Sequence, residues 1–224
     1  MRGGQYKGAV RPPPPFLFDL DGTLADTIAD IAASTNHVRA HLGLPQLGIA
    51  TVQSFVGNGA AALLQLALAD LGWPADDPRW HDVRRRYAAH HATECTKTAR
   101  LYPGVREHLA ALRARGHALG VVTNKPVAFA RTLVDHLGLR ELLAVVVGGD
   151  TLDRRKPDPA PVLFALQQCG HDRGDGTMVG DGETDLRAGR AAGLRTIACL
   201  YGYRPEAELR REGADEYWHR FGGP

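Results

Sequence analysis

The sequence predicts an α/β protein: an open, doubly wound parallel sheet with an inserted α-helical subdomain. Three observations support this prediction. Short apolar runs without polar alternation are typical of parallel strands that are buried on both faces. Helical patterns separate these runs from residue 103 onward, so that strand and helix alternate. The interval between residues 26 and 98 contains helical patterns but no convincing strand.

Five apolar runs are the predicted strands. They are FLF (16–18), HALGVVT (117–123), LAVVVGG (143–149), TMVGD (177–181) and RTIACL (195–200). The segments between the later runs repeat apolar residues at helical spacing, and several end at a glycine. These predicted helices cover residues 103–116, 129–137, 158–169 and 184–192.

Residues 26–98 are predicted to form the inserted helical subdomain, and residues 16–25 and 99–224 the core that carries it. The flanking segments near 23–27 and 98–103 are expected to be hinge loops. Within the subdomain, helical patterns cover residues 28–42, 60–71 and 80–98. Ahead of the core, residues 1–15 end in four prolines, and we expect a disordered, extended Pro-rich segment there.

Composition excludes several classes of partner. The net charge of +2 is too small to indicate a nucleic-acid or membrane partner. No apolar run approaches the roughly 20 residues that a membrane span requires. The three cysteines, Cys95, Cys169 and Cys199, are far apart and form no CxxC pair, so we expect reduced thiols rather than disulfides or a zinc site. These features predict a cytoplasmic protein, either a monomer or a homodimer.

Polar residues follow the ends of the predicted strands. Ligands of open α/β sheets bind beyond the carboxyl ends of the strands, so these residues are expected to converge on one site. They are Asp19 and Asp21, Thr123 and Asn124, Lys156, and Asp181 with Asp185. Taken singly, each has an ordinary explanation: an aspartate can cap a helix, and a lysine can be a solvated surface residue. For Lys125, at the start of a predicted helix, we expect the surface position.

Together, and in this order, these motifs resemble those of the haloacid dehalogenase superfamily of phosphohydrolases. FDLDGT is similar to its first motif, VVTN to its second, the lysine of RRKPDP to its third and GDGETD to its fourth. The resemblance extends from Phe16 to about Tyr203. It implies a Rossmann-like core, a helical cap over residues 26–98, and hydrolysis of a small phosphorylated metabolite through an aspartyl-phosphate.

The resemblance also implies a Mg²⁺ ion. Side chains two residues apart in an extended chain share a face, so Asp19 and Asp21 lie together and a bound phosphate would need a cation beside them. Mg²⁺ prefers such hard oxygen ligands. Its implied protein ligands are the carboxylates of Asp19 and Asp181 and the main-chain carbonyl of Asp21, with Asp185 orienting them or binding through water.

The remaining roles follow from the same resemblance. Asp19 is the implied nucleophile, and Asp21 the acid that protonates the leaving oxygen and then the base that activates water. Gly22 would let the chain turn beside the phosphate. Thr123 and the backbone of Asn124 would contact phosphoryl oxygens, and Lys156 would offset the charge on Asp19 and on the transferring group.

The predicted cap contains FVGNGAAALL, in which Gly57, Asn58 and Gly59 precede a helix. Free N–H groups at this helix N-terminus could bind a substrate carboxylate. Alternatively, Asn58 simply caps the helix. This stretch resembles a cap loop of phosphoglycolate phosphatases, as do LYPGV, VVTNKP, VVGGDTL, KPDPAP and YGYRP, and the resemblance implies 2-phosphoglycolate as substrate. The cap histidines His81, His90 and His91 could contact substrate, but we expect solvated helix positions.

Two departures weaken the similarity. GDGETD has Glu183 within a motif that more often reads Ser-Arg-Asn between its aspartates, and the chain ends soon after GADEYWHRF. A phosphatase for N-acetylmuramic acid 6-phosphate, or for another small sugar phosphate, is an alternative, because that family also carries segments like VVTNKPV and YGY. A phosphomutase and a non-catalytic binding protein with this fold are further alternatives. The second would be indicated by loss of Asp19, Asp21 or Lys156, and all three are present.

Overall fold

The structure is a computed structural model in which residues 12–223 are described. In chain order its strands are β1 (Phe16–Phe18), β2 (Ala25–Asp26), β3 (Arg100–Leu101), β4 (Leu119–Val122), β5 (Val145–Val147), β6 (Thr177–Gly180), β7 (Arg195–Cys199) and β8 (Glu216–Trp218). Its helices are α1 (Ile28–His41), α2 (Ile49–Phe55), α3 (Ala60–Ala67), α4 (Arg79–Glu94), α5 (Val105–Ala114), α6 (Val127–His136), α7 (Ala160–Gln168), α8 (Glu183–Ala191) and α9 (Glu206–Glu212). Short 3₁₀ helices cover Ala69–Leu71 and Arg140–Leu142.

Six strands form a parallel sheet in the order β5-β4-β1-β6-β7-β8. Successive residues of β1 point to opposite faces, since Leu17 and Phe18 are both fully buried but belong to different apolar clusters. Both faces of the sheet are therefore covered, as the continuous apolar runs predicted. The doubly wound α/β fold is confirmed. Because β1 lies between β4 and β6, the crossovers diverge beside it and open a crevice at its carboxyl end.

Several elements were not predicted. The strand β8 lies at the edge of the sheet and contains only Glu216, Tyr217 and Trp218, so it lacks the aliphatic run that marks the buried strands. The short helices α2 and α9 were also missed. The expected hinge loops are partly wrong, because β2 and β3 pair antiparallel within them, with Ala25 opposite Leu101.

Helices α1 to α4 pack around an apolar core of their own. Val38, Val52 and Leu64 are fully or almost fully buried in it. The buried carboxylate of Asp30 ties α1 to the returning chain, since it accepts hydrogen bonds from the Thr98 N–H and hydroxyl. This packing explains why the helical interval forms one unit, whereas its exact boundaries remain a prediction.

Most of the predicted disordered segment, residues 1–11, lies outside the described residues. The proline run itself lies against the core: the Pro15 carbonyl accepts a hydrogen bond from the Thr177 N–H at 3.0 Å, and the Pro14 carbonyl is 2.6 Å from His117 Nδ1. Within residues 12–223, none of the helices combines the length and apolar character needed to cross a bilayer.

Candidate active site

The end of β1 presents two carboxylates to a cavity at the crevice. Asp19 and Asp21 both line this cavity, while Leu20 between them is fully buried in the core. The chain then turns at Gly22, whose φ of +83° favours glycine. A Cβ atom at Gly22 would lie 2.2 Å from Asp181 Oδ2, so only glycine allows the first and fourth motifs to approach this closely.

Lys156 lies between the carboxylates of Asp19 and Asp185. Its Nζ is 3.0 Å from Asp19 Oδ1 and 2.6 Å from Asp185 Oδ1, and it donates a hydrogen bond to the Val122 carbonyl. The residue is only 2% exposed. Burial opposes its charge, but the carboxylates of Asp185 and Asp19 outweigh burial and raise the pKa of Lys156. The predicted proximity of Lys156 to Asp19 is therefore present in the structure.

Three carboxylates face one another beside this lysine. Oxygen atoms of Asp19, Asp181 and Asp185 lie within 4.8 Å of one another. Burial, together with the charges of Asp19 and Asp185, raises the pKa of Asp181 well above its usual range. Burial and the Asp19 charge likewise raise the pKa of Asp185 to about 7, although Lys156 opposes the shift. This crowding of negative charge favours a bound cation.

The donor set fits a hard divalent ion such as Mg²⁺. All its atoms are oxygens, and Asp19 Oδ1 is buried without a hydrogen-bond partner among the described residues, although it pairs electrostatically with Lys156. Asp181 is fixed in place because it accepts hydrogen bonds from Thr23 Oγ1 at 2.9 Å and from the Tyr203 N–H at 2.7 Å. Both oxygens of Asp185 are already engaged, one by Lys156 and the other by the Gly182 N–H, which agrees with an orienting role.

The surface position expected for Lys125 is wrong. Lys125 is 8% exposed, and its Nζ donates to both carboxylate oxygens of Asp21, at 3.1 and 3.2 Å. Thr27 donates a second hydrogen bond to Asp21 Oδ1 at 2.6 Å, and the Tyr203 hydroxyl in turn accepts the Thr27 N–H. Strand order explains the error: β4 neighbours β1, so a side chain that follows β4 reaches across to Asp21.

Thr123 and Asn124 line the cavity at the end of β4. The side chain of Asn124 also makes hydrogen bonds that the sequence did not predict. Its Nδ2 donates to the carbonyls of Gly57 and Lys156, each at 2.9 Å, and so connects the helical unit to the core.

The glycine loop before α3 closes the opposite side of the cavity. Gly57 and Gly59 have φ values of +125° and +84° and both line the cavity. Asn58 is exposed and is absent from the cavity wall, so the structure does not bring it to the site. Capping by Asn58 is also wrong, because Gly59 occupies the N-cap position of α3 and no side chain caps the helix.

Besides Lys125, four polar residues that the sequence analysis did not assign to the site line the cavity with their neighbours, namely Tyr87, His91, Tyr203 and Arg204. His81 and His90 are exposed or half-buried, as expected, but His91 is 1% exposed. Tyr87 and His91 are four residues apart on α4 and stack with ring centroids 5.1 Å apart. The i, i+4 spacing of Tyr87 and His91 was the sequence pattern that could have indicated that both side chains lie on the same, buried face of α4. The Nε atom of Arg204 lies 3.4 Å from Glu183 Oε2, so the glutamate that departs from the usual fourth motif forms an ion pair with a cavity residue.

The fold and the site together define a class of enzymes: hydrolases with a doubly wound, Rossmann-like core that place paired aspartates after the first strand and complete the site from the ends of three other strands. The family model of haloacid dehalogenase-like hydrolases matches residues 16–199. The chain belongs to this family.

Curated relatives cover most of the chain. It is 41% identical over 199 residues to a phosphoglycolate phosphatase of Chromobacterium violaceum, with 88% of each chain covered. It is 40% identical over 200 residues to an N-acetylmuramic acid 6-phosphate phosphatase of Pseudomonas aeruginosa, with 89% of this chain and 87% of the relative covered.

A crystal structure from Haemophilus somnus, of a protein described as a predicted phosphoglycolate phosphatase, has the same architecture. It aligns with a TM-score of 0.86 at 30% identity and covers 93% of this chain and 95% of its own. The alignment therefore covers most of the helical interval as well as most of the sheet.

Proposed function

We propose that the protein is a phosphatase that hydrolyses 2-phosphoglycolate to glycolate and phosphate. The observation that supports this reaction class is that Asp19 and Asp21 line one cavity but have different cationic partners, Lys156 and Lys125, which gives the two carboxylates separate environments. The names of relatives about 40% identical support the choice of substrate.

In the first step, a carboxylate oxygen of Asp19 attacks phosphorus and forms an acyl phosphate while the bond to the leaving oxygen breaks. Asp21, which is paired with Lys125 in the free protein and takes up a proton when the phosphate dianion binds beside it, gives that proton to the leaving oxygen. Thr27 and Lys125 hold the Asp21 carboxyl group in place during this transfer. Lys156 and Thr123 stabilise the negative charge that spreads over the phosphoryl oxygens.

In the second step, water attacks the phosphorus atom of the acyl phosphate. Asp21, now ionised, accepts the proton of this water, and the bond between phosphorus and Asp19 breaks. Both residues thereby return to their starting states. Mg²⁺ bound by Asp19, Asp181 and the Asp21 carbonyl would lower the repulsion between these carboxylates and the phosphate.

The helical unit of residues 26–98 is the proposed cap, which covers the site during the reaction. Two groups of contacts support this role: Asn124 holds the Gly57 carbonyl, and Arg204 donates to the carbonyls of Ser54 and Val56. These contacts join the cap loop to the core around the cavity, where they would exclude bulk water.

The relatives give two candidate substrates. 2-Phosphoglycolate is the first, because several relatives that are 36–41% identical and cover most of the chain are phosphoglycolate phosphatases. The muramic acid phosphatase remains the second candidate because of its 40% identity.

Phosphate release from a small panel tests this proposal. The panel contains 2-phosphoglycolate, N-acetylmuramic acid 6-phosphate, glucose 1-phosphate and p-nitrophenyl phosphate, each with Mg²⁺ and with a chelator. We expect Mg²⁺-dependent turnover with the highest kcat/KM for 2-phosphoglycolate. Preference for the sugar phosphate would contradict the substrate, and no release from any compound would contradict the phosphatase.

A further inference from the structure

The cap contributes two polar side chains to the cavity wall, Tyr87 and His91, both from α4. The other residues that α1 to α4 and their loops place on that wall are apolar or glycine: Ile31, Val56, Gly57, Gly59, Ala60 and Leu63. Any hydrogen bond between a cap side chain and the part of the substrate beyond the phosphate must therefore come from this pair.

Both side chains have an unused polar atom. His91 Nε2 is buried and has no hydrogen-bond partner, and the Tyr87 hydroxyl makes none with any residue between 12 and 223. Tyr87 is 5% exposed and His91 1%. A buried polar atom is rarely left unpaired in proteins, so His91 Nε2 indicates a ligand that supplies the missing partner. The hydroxyl of Tyr87, which lines the same cavity, is free to bind that ligand.

The other nitrogen of His91 determines what Nε2 can do. Nδ1 lies 2.9 Å from Ser34 Oγ, and the Ser34 hydroxyl also lies 3.0 Å from the Asp30 carbonyl. If Ser34 donates to that carbonyl, Nδ1 carries the ring proton and Nε2 is an acceptor. If Ser34 turns and donates to Nδ1, Nε2 carries the proton and becomes a donor.

A carboxylate in the cavity favours the tautomer in which His91 Nε2 carries the proton. When the Ser34 hydroxyl turns, it loses one neutral hydrogen bond to the Asp30 carbonyl, which keeps its backbone i, i+4 partner in α1. In exchange, His91 Nε2–H forms a stronger hydrogen bond with an anion. Burial, helped by the charge of Lys125, lowers the pKa of His91 to about 3. The ring is thus neutral, and the position of its one proton decides which groups it can bind.

We propose that Tyr87 and His91 are the substrate-specificity residues of the cap, and that the Tyr87 hydroxyl and His91 Nε2–H donate hydrogen bonds to the carboxylate of the leaving group. This inference rests on the proposed function, because it requires a substrate with an anionic group beyond the phosphate. The two rings stack on one helix face with their centroids 5.1 Å apart, and both residues line the cavity.

The test compares two substrates that differ only in the carboxylate, 2-phosphoglycolate and ethyl phosphate, through the ratio of their kcat/KM values. Tyr87→Phe removes only the hydroxyl. His91→Asn keeps a group near Nδ1 for Ser34 but removes Nε2, whereas His91→Gln retains an amide nitrogen near the Nε2 position. Tyr102→Phe is the matched control, because Tyr102 is a partly buried tyrosine that does not line the cavity.

We expect Tyr87→Phe and His91→Asn each to lower the ratio by about tenfold or more, since each removes a hydrogen bond to a charged group. Turnover of ethyl phosphate should persist in both, which also shows that the variants fold. His91→Gln should retain part of the preference, and Tyr102→Phe all of it.

Two results would overturn the inference alone: a wild-type preference for 2-phosphoglycolate that both variants keep within about twofold, or an equal loss of turnover with both substrates. If the wild-type protein itself does not prefer 2-phosphoglycolate over ethyl phosphate, the proposed substrate is wrong and the inference falls with it. The wild-type ratio of the two kcat/KM values therefore distinguishes a wrong substrate from a wrong assignment of Tyr87 and His91.

Discussion

Lys125 Nζ contacts both carboxylate oxygens of Asp21, at 3.1 and 3.2 Å, in a pair that is almost completely buried. The side chains are 5% and 10% exposed. Asp19 has a different cationic partner, Lys156. Each of the two adjacent aspartates is therefore matched with its own lysine, and this division underlies the separate roles proposed for them.

Replacing Lys125 with methionine should lower the free energy of unfolding by about 3 kcal/mol, because it leaves the Asp21 carboxylate buried without its cation. Urea unfolding measures this change. In the Lys125→Met, Asp21→Asn double variant most of the loss should be absent, since no unpaired charge remains. Lys97→Met, at an exposed pair with Glu94, is the control and should change stability by about 0.5 kcal/mol or less. Simple additivity of the Lys125 and Asp21 changes would contradict the account.

Gly22→Ala should abolish activity and destabilise the protein by about 2 kcal/mol or more, because a Cβ there combines a left-handed φ with a clash against Asp181. Gly43→Ala separates the two causes. Gly43 has a similar φ of +72°, but nothing lies within 4 Å of the added atom. It should cost only the backbone strain, about 1 kcal/mol, with unchanged kcat. Full activity in Gly22→Ala would show that the close approach to Asp181 is not needed.

The buried His91 should make stability depend on pH. Its pKa of about 3 in the folded protein lies below the unfolded value of 6.5, so between these values the unfolded chain binds more protons and stability falls as pH falls. Between about pH 7 and pH 5 the wild-type protein should therefore lose about 2 kcal/mol relative to His91→Gln. Urea unfolding at both pH values gives this difference. A difference that does not change with pH would show that His91 gains its proton in the folded state.

Arg204 should matter for substrate binding more than for chemistry. Its guanidinium donates to the carbonyls of Ser54 and Val56 at the end of α2, 2.8 and 2.6 Å away, and so connects the cap to the core. In Arg204→Met we expect KM to rise several-fold with a smaller change in kcat, and hydrogen exchange in α2 to become faster. Arg187→Met, at an exposed pair with Glu212, is the control. An unchanged KM would contradict the proposed role of these contacts.

The sequence predicted the elements whose pattern is local and strong. All five apolar runs are strands, and Asp19, Asp21, Thr123, Lys156 and Asp181 converge because parallel strands end at one edge of a sheet. By contrast, β8 is a three-residue edge strand that begins with a glutamate, and no local pattern marks it as the sixth member of the sheet.

The missed site residues depend on contacts that only the folded chain makes. Lys125 resembles any lysine at a helix start until β4 is placed beside β1. His91 resembles any helix histidine until α4 packs against α1 and brings Ser34 to its Nδ1. In the glycine loop, Gly57 and Gly59 line the cavity, whereas the side chain of Asn58, which the sequence predicted to bind substrate or cap α3, is exposed.

The central claim is that Asp19 carries the phosphoryl group during turnover. Sodium borohydride reduces an aspartyl-phosphate to homoserine, and peptide mass spectrometry can locate that residue in protein trapped during turnover of 2-phosphoglycolate with Mg²⁺. The account predicts homoserine at position 19 only when substrate is present, and none in Asp19→Asn, which should fold but not turn over. Turnover by Asp19→Asn, or homoserine at another aspartate, would contradict it.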